Sequence, residues 1–235
     1  MKILSLEAAS VSASVCLTEN EKIIAQSFQN NGLTHSRTLL PMAEHLLSVC
    51  GIKVAELDGI AVSAGPGSFT GVRIGVATAK GLAFGADLPC VPVSTLEAMS
   101  WNLMGQSGSV CCVMDARAGQ VYNARFVLTK DGPRRLCPDR AVKIEELGAE
   151  IRETEQILVG DGAALCYTNL KDTCYALTVA PHHLCYPMGY GVARAALPSF
   201  FAGMTVSAQE LDATYLRAPQ AEQQRNKKLL GGKSQ

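Results

Sequence analysis

The sequence has no surplus of either charge sign. Lys+Arg and Asp+Glu each number 21, so the formal net charge is zero. A chain that grips nucleic acid unaided carries a basic excess, so the balance argues against direct RNA binding except through a local patch. No apolar run approaches the ~18 residues of a membrane span, and no membrane contact is expected. Cys-x-x-Cys is missing, and the nine cysteines (16, 50, 90, 111, 112, 137, 166, 174 and 185) are scattered and odd in number. That argues against zinc and reads as small core residues of a reducing compartment. None of His35, His45, His182 and His183 lies four residues from another, so no helix face offers two imidazoles to a metal. The Gly65 loop runs Gly71-Val72-Arg73 where a Walker A motif needs Gly-Lys-Ser/Thr, the one Gly-Lys-Ser, at 232–234, has Lys227 where that motif needs its first glycine, and a G-x-G-x-x-G fingerprint starting at Gly65 fails at Thr70. No G-x-S-x-G elbow presents a nucleophilic serine.

What is present is a core-forming composition: 48% hydrophobic and 18% charged residues over 235 positions, enough for one large domain or two small ones. The N-terminus has a lysine before an apolar stretch, as a signal peptide does. Glu7 interrupts that stretch, and the Ser/Val alternation after it has strand character. Strands are expected there, not a targeting segment, and a cytoplasmic location.

The most informative stretch is Gly65 to Gly85, GPGSFTGVRIGVATAKGLAFG. Gly65, Pro66 and Gly67 form a turn after the buried-strand run Gly59–Ala64. Ser68 or Thr70 can cap the helix that follows, because a hydroxyl accepts from the orphan N–H groups of the first turn. Gly71, Gly75, Ala79 and Ala83 recur every four residues and share one face. Glycine inside a helix costs roughly 1 kcal/mol relative to alanine, which suggests that another backbone approaches this face closely. The loop could also hold an anion.

This stretch, with Val93-Ser94-Thr95-Leu96-Glu97-Ala98, Met114-Asp115-Ala116-Arg117, Val121-Tyr122 and Tyr215-Leu216-Arg217, closely resembles the TsaB (YeaZ) family over nearly the whole chain. The resemblance implies an α/β protein with the actin-like ATPase (ribonuclease H-like) fold in two βββαβα halves, the second reduced. It implies a non-catalytic subunit of the machinery that makes threonylcarbamoyladenosine in tRNA. The implied partners are a TsaD-type catalytic subunit, or in its place a second copy of the chain, and a TsaE-type ATPase, with tRNA met only through the complex. ATP and metal are expected on those partners and no cofactor on this subunit. The alternative is a stand-alone ATP-dependent enzyme or peptidase of the same superfamily.

In chain order, strands are expected over 2–7, 12–17 and 22–28, a helix over 35–50 ended by Gly51, a strand over 59–64, the glycine helix, a strand through Val91 and a helix over 95–103. Pro41 either starts or kinks the first helix. The second half repeats the order weakly: strands over 109–114 and 120–128, a third run over 136–142, a helix over 144–152, a strand over 157–159, a helix over 163–170, a strand over 176–179 and a helix over 189–201. Domains are expected at 1–104 and 105–219, with a polar, disordered tail over 220–235.

In the TsaB family and its relatives the first strand usually ends Asp-Thr-Ser; here it ends Glu7-Ala8-Ala9. Glu7 and Asp115 are therefore vestigial phosphate-loop candidates, with Asp161 at a comparable strand end. A strand-end Asp is also a common turn former. No catalytic residue and no metal ligand is assigned. Partner binding is placed on His35, Leu39, Met42 and Leu46 of the first helix and on Gly71, Gly75, Ala79 and Ala83 of the second, because small residues let helices approach closely. The competing reading is that this face packs on the protein's own sheet. Gly65, Gly67, Ser68 and Arg73 are assigned to the structural loop. Arg73 opposes the helix dipole, so a carboxylate or carbonyl partner is expected for it, bracing the loop or the interface.

Overall fold

A computed structural model describes residues 1–217. The tail expectation for 220–235 lies outside the described residues. The first strands, β1 (Lys2–Glu7), β2 (Ala13–Glu19) and β3 (Lys22–Gln29), form an antiparallel meander. Helix α1 (His35–Cys50) follows, then β4 (Gly59–Gly65), α2 (Phe69–Phe84), β5 (Cys90–Ser94) and α3 (Thr95–Ser100). The sheet order is β3-β2-β1-β4-β5, with β4 parallel to both β1 and β5. Gly51 ends α1 in the left-handed region at φ 65°, its N–H meeting the carbonyls of Leu47 and Ser48. Pro41 sits inside α1 on its exposed side.

The second half is built the same way. It comprises β6 (Gly108–Arg117), β7 (Gln120–Thr129), β8 (Gly132–Arg135), β9 (Arg140–Lys143), α4 (Ile144–Ile151), β10 (Glu155–Val159), α5 (Ala163–Leu170), β11 (Ala176–Val179) and α6 (Gly189–Phe201). Its order β11-β10-β6-β7-β8 repeats that of the first sheet read from the other edge. The third run expected over 136–142 overlaps only β9, and β8 lies just before it. β8 and β9 pair with opposite ends of β7, and the break between them falls at Cys137-Pro138, since proline cannot donate to a ladder.

Strand alternation decides which layer each face meets. Leu4, Leu6, Ile60 and Val62 join the inner sides of α1 and α2, while Ile3, Ala61, Val91 and Val93 face α6. In the second sheet Cys111, Val113 and Leu158 meet α4 and α5, and Val110, Cys112 and Met114 meet α3. The last helix of each half therefore packs on the sheet of the other. The two exchanged helices cross where a Cβ on Gly191 would lie 2.1 Å from the carbonyl oxygen of Ala98, an approach only glycine permits. The two cores therefore interlock across the expected division at 104/105: Leu96 and Met99 of α3 join the second core, while α6 and the segment after it join the first. Val206 pairs with Cys90, and Leu211 is fully buried in the first core. No helix among the described residues is long and apolar enough to cross a membrane.

Candidate functional site

The strand-end turns of both halves face each other across a cleft of about 940 Å³. The first half contributes the β1–β2 turn, the start of α1 and the turn from β4 into α2; the second contributes the β6–β7 turn and Asp161. Ser68 caps α2, its Oγ accepting from the Gly71 N–H at 3.3 Å. Gly67 and Gly71 let this turn lie against the β1–β2 turn: a Cβ on them would stand 2.3 Å from the Ala9 oxygen and 2.0 Å from the Ala8 oxygen. The Ser68 N–H donates to that same Ala9 carbonyl at 2.7 Å. Gly65, at φ 118°, brings its backbone against the carbonyl of Thr214. The loop glycines thus serve close backbone contacts.

The carboxylates behind the cleft are mostly spent on the protein itself. Glu7 is fully buried; its Oε1 accepts the Ala9 N–H at 2.7 Å, and Oε2 has no partner among the described residues. Burial pushes its pKa from 4.5 up to about 8; the Ala9 N–H opposes the shift and the charge of Asp161 adds to it. Glu7 is therefore predominantly neutral at pH 7. Burial also raises the pKa of Asp161, against the Asp115 N–H, which donates to its Oδ1 at 3.2 Å. Asp115 closes its own turn, Oδ1 accepting the Arg117 N–H at 2.7 Å and Oδ2 the Arg117 guanidinium at 3.1 Å. With a neutral Glu7, no side-chain oxygen at Ala8 or Ala9, and an Asp115 engaged by Arg117, the donor set does not fit a magnesium-bound nucleotide. Among the described residues no group of three His, Cys, Asp or Glu is arranged to hold a metal ion.

The structure corrects the expected partner face. Gly71, Gly75, Ala79 and Ala83 point inward: Ala79 and Ala83 are fully buried, and a Cβ on Gly75 would touch Val62 and Ala8 at 3.4 and 3.7 Å. The close backbone inferred from the stripe is the protein's own β1–β2 turn. Leu39, Met42 and Leu46 are buried in the same core. His35 is half-buried, its Nε2 2.8 Å from the Ser10 carbonyl, which ties the start of α1 to the cleft. Leu39, Met42, Leu46 and the small stripe are thus core residues, and His35 lines the cleft. The outward sides of the two helices carry Arg37, Pro41, Glu44 and Ser48 on α1, flanked by exposed Leu40 and Val49, and Arg73, Ala77, Gly81 and Phe84 on α2. Spacing could not separate these from the inward set, because α2 has small residues at 77 and 81 as well as at 71, 75, 79 and 83. Among the described residues Arg73 has neither a carboxylate nor a carbonyl partner: its Nε donates to the Tyr215 hydroxyl at 3.0 Å, and its guanidinium lies 3.9 Å over the Phe69 ring.

Two sheets of the same ribonuclease H-like order, with a cleft between their strand-end turns, define the actin-like ATPase fold. A family model described as "TsaD: tRNA N6-adenosine threonylcarbamoyltransferase" matches residues 22–210. The chain is 31% identical to the tRNA threonylcarbamoyladenosine biosynthesis protein TsaB of Escherichia coli, over 92% of this chain and 95% of that one. It is 31% identical to the Bacillus subtilis TsaB, over 73% and 76% respectively. A Pseudomonas aeruginosa crystal structure, of an uncharacterized protein with similarity to peptidase YEAZ, superposes with a TM-score of 0.78 at 25% identity, covering 92% of this chain and 99% of that one. The chain belongs to the TsaB (YeaZ) family.

Proposed function

We propose that this chain is a non-catalytic subunit in the synthesis of threonylcarbamoyladenosine in tRNA, and that it docks a TsaD-type catalytic subunit through the outward sides of α1 and α2. A TsaE-type ATPase joins the pair, and tRNA is reached through the complex, in the cytoplasm. The chain binds no cofactor alone. The observation that carries the docking surface is the exposed stripe of α2 with small residues at 77 and 81: Phe84 beside them is 69% exposed, and a Cβ on Gly81 would meet nothing within 4 Å among the described residues. Small residues on such a face let a second helix come close. The state of the carboxylates supports a subunit without its own chemistry, since Glu7 is neutral and Asp115 is held by Arg117.

The test is Gly81→Arg, with Ala77→Arg as a second variant. Both positions are exposed, so the melting temperature should stay near the wild-type value. An arginine intruding on a packed helix contact costs roughly 1–3 kcal/mol, or about tenfold or more in affinity for a TsaD-type subunit. Stable variants that bind that subunit at unchanged affinity would place the contact elsewhere.

A further inference from the structure

The segment after α6 returns across the cleft. Leu211 is anchored in the first core, and the Thr214 N–H donates to the Ala64 carbonyl at 2.7 Å. Tyr215 then packs on Phe69 with ring centroids 4.9 Å apart, and its hydroxyl accepts from Arg73. Two residues later the chain reaches the other half, where Arg217 Nη1 donates to the Ala116 carbonyl at 2.6 Å. That carbonyl belongs to a strained turn: Arg117 and Ala118 both hold positive φ, at 68° and 54°, which non-glycine residues rarely adopt.

We propose that residues 211–217 form a latch that sets the opening of the cleft, and that Arg73 is its handle. The exchanged helices α3 and α6 couple the halves through the interior, and the latch spans the cleft. Arg73 lies on the same exposed stripe of α2 as Ala77 and Gly81, four and eight residues on. Its Nε is committed to Tyr215 and its ring face to Phe69. The two terminal nitrogens, which make no hydrogen bond among the described residues, present the fork that a carboxylate accepts in two parallel bonds. A docked partner with a carboxylate at this position would hold Arg73 in place and thereby fasten Tyr215 and the latch. This coupling rests on the docking surface proposed above; the latch itself does not.

Residue-resolved hydrogen exchange separates the two. The reporters are the Thr214 amide on one side of the cleft and the Arg117 amide on the other, each as a ratio to the Leu4 and Leu158 amides so that a general loss of stability cancels. In the free protein, Arg217→Ala should speed exchange at Thr214, and Arg73→Ala or the milder Tyr215→Phe should speed it at Arg117, each by about tenfold, as for losing one hydrogen bond. Changes confined to the substituted side of the cleft would make the contacts independent and overturn the latch. In wild-type protein saturated with a TsaD-type subunit, Thr214 exchange should slow by about tenfold, and Arg73→Ala should abolish the slowing. A complex that forms without slowing Thr214 overturns the handle and leaves docking intact. Failure to form a complex overturns the docking reading and the handle, while the free-protein measurement still decides the latch.

Discussion

Glu7 makes the stability of this protein depend on pH in a direction opposite to that of most carboxylates. Its side chain has no contact with solvent, and burial raises its pKa from 4.5 to about 8. Below pH 4.5 the carboxyl is protonated in folded and unfolded chains alike, and the fold keeps the full benefit of burying a neutral group. Between 4.5 and about 8 the unfolded chain releases the proton while the folded one retains it, so stability falls by about 1.4 kcal/mol per pH unit. From pH 5 to pH 8 the loss is roughly 3–4 kcal/mol, which for a chain of this size is on the order of 10 °C in melting temperature. The raised pKa of Asp161 acts in the same direction. Glu7→Gln removes the titration and keeps an oxygen for the Ala9 N–H. Its unfolding free energy should be nearly level over this range, apart from the share of Asp161, and should exceed the wild type at pH 8. The assay is urea unfolding at half-unit pH steps, followed through Trp101, the single tryptophan, whose ring lies 4.6 Å from the Arg194 guanidinium. Parallel pH profiles for the two proteins between pH 5 and 8 would refute the buried, neutral Glu7.

Two further substitutions test the turn beneath the cleft. Gly71→Ala puts a methyl 2.0 Å from the Ala8 carbonyl oxygen and should destabilise by about 3 kcal/mol or more, whereas Gly75→Ala meets Val62 at an ordinary 3.4 Å and should be neutral or stabilising by up to ~1 kcal/mol through helix propensity. Equal losses at both positions in thermal melts would contradict the packing described for α2. Ser68→Ala removes the cap on Gly71 and should cost ~1 kcal/mol; a melting temperature unchanged within error would show that the bond contributes nothing.

Much of the fold was legible because it is local. The alternation over 12–17 marks a strand, Leu39, Leu46 and Leu47 recur at helical spacing, and Gly51 stops α1; each needs only neighbouring residues to be read. The turn at Gly65–Gly67 and the cap at Ser68 were legible for the same reason. β8 was missed: its four residues, Gly132-Pro133-Arg134-Arg135, carry turn and charge signals, and only pairing with one end of β7 makes them a strand, while β9 pairs with the other end. The role of the small-residue stripe was misread for a related reason. Spacing shows that Gly71 and Ala79 share a face, but not which way that face points.

The sequence by itself determined the family, the order of strands and helices, and the presence of a tight glycine turn feeding a helix. These follow from periodicity, turn chemistry and motif, which act over a few residues. Only the tertiary structure decided that α3 and α6 exchange sheets, that Glu7 is sealed from water and neutral, and that Arg73 pairs with Tyr215, 142 residues away. Burial and long-range contact depend on what the rest of the chain places around a residue, and no window of the sequence contains that information.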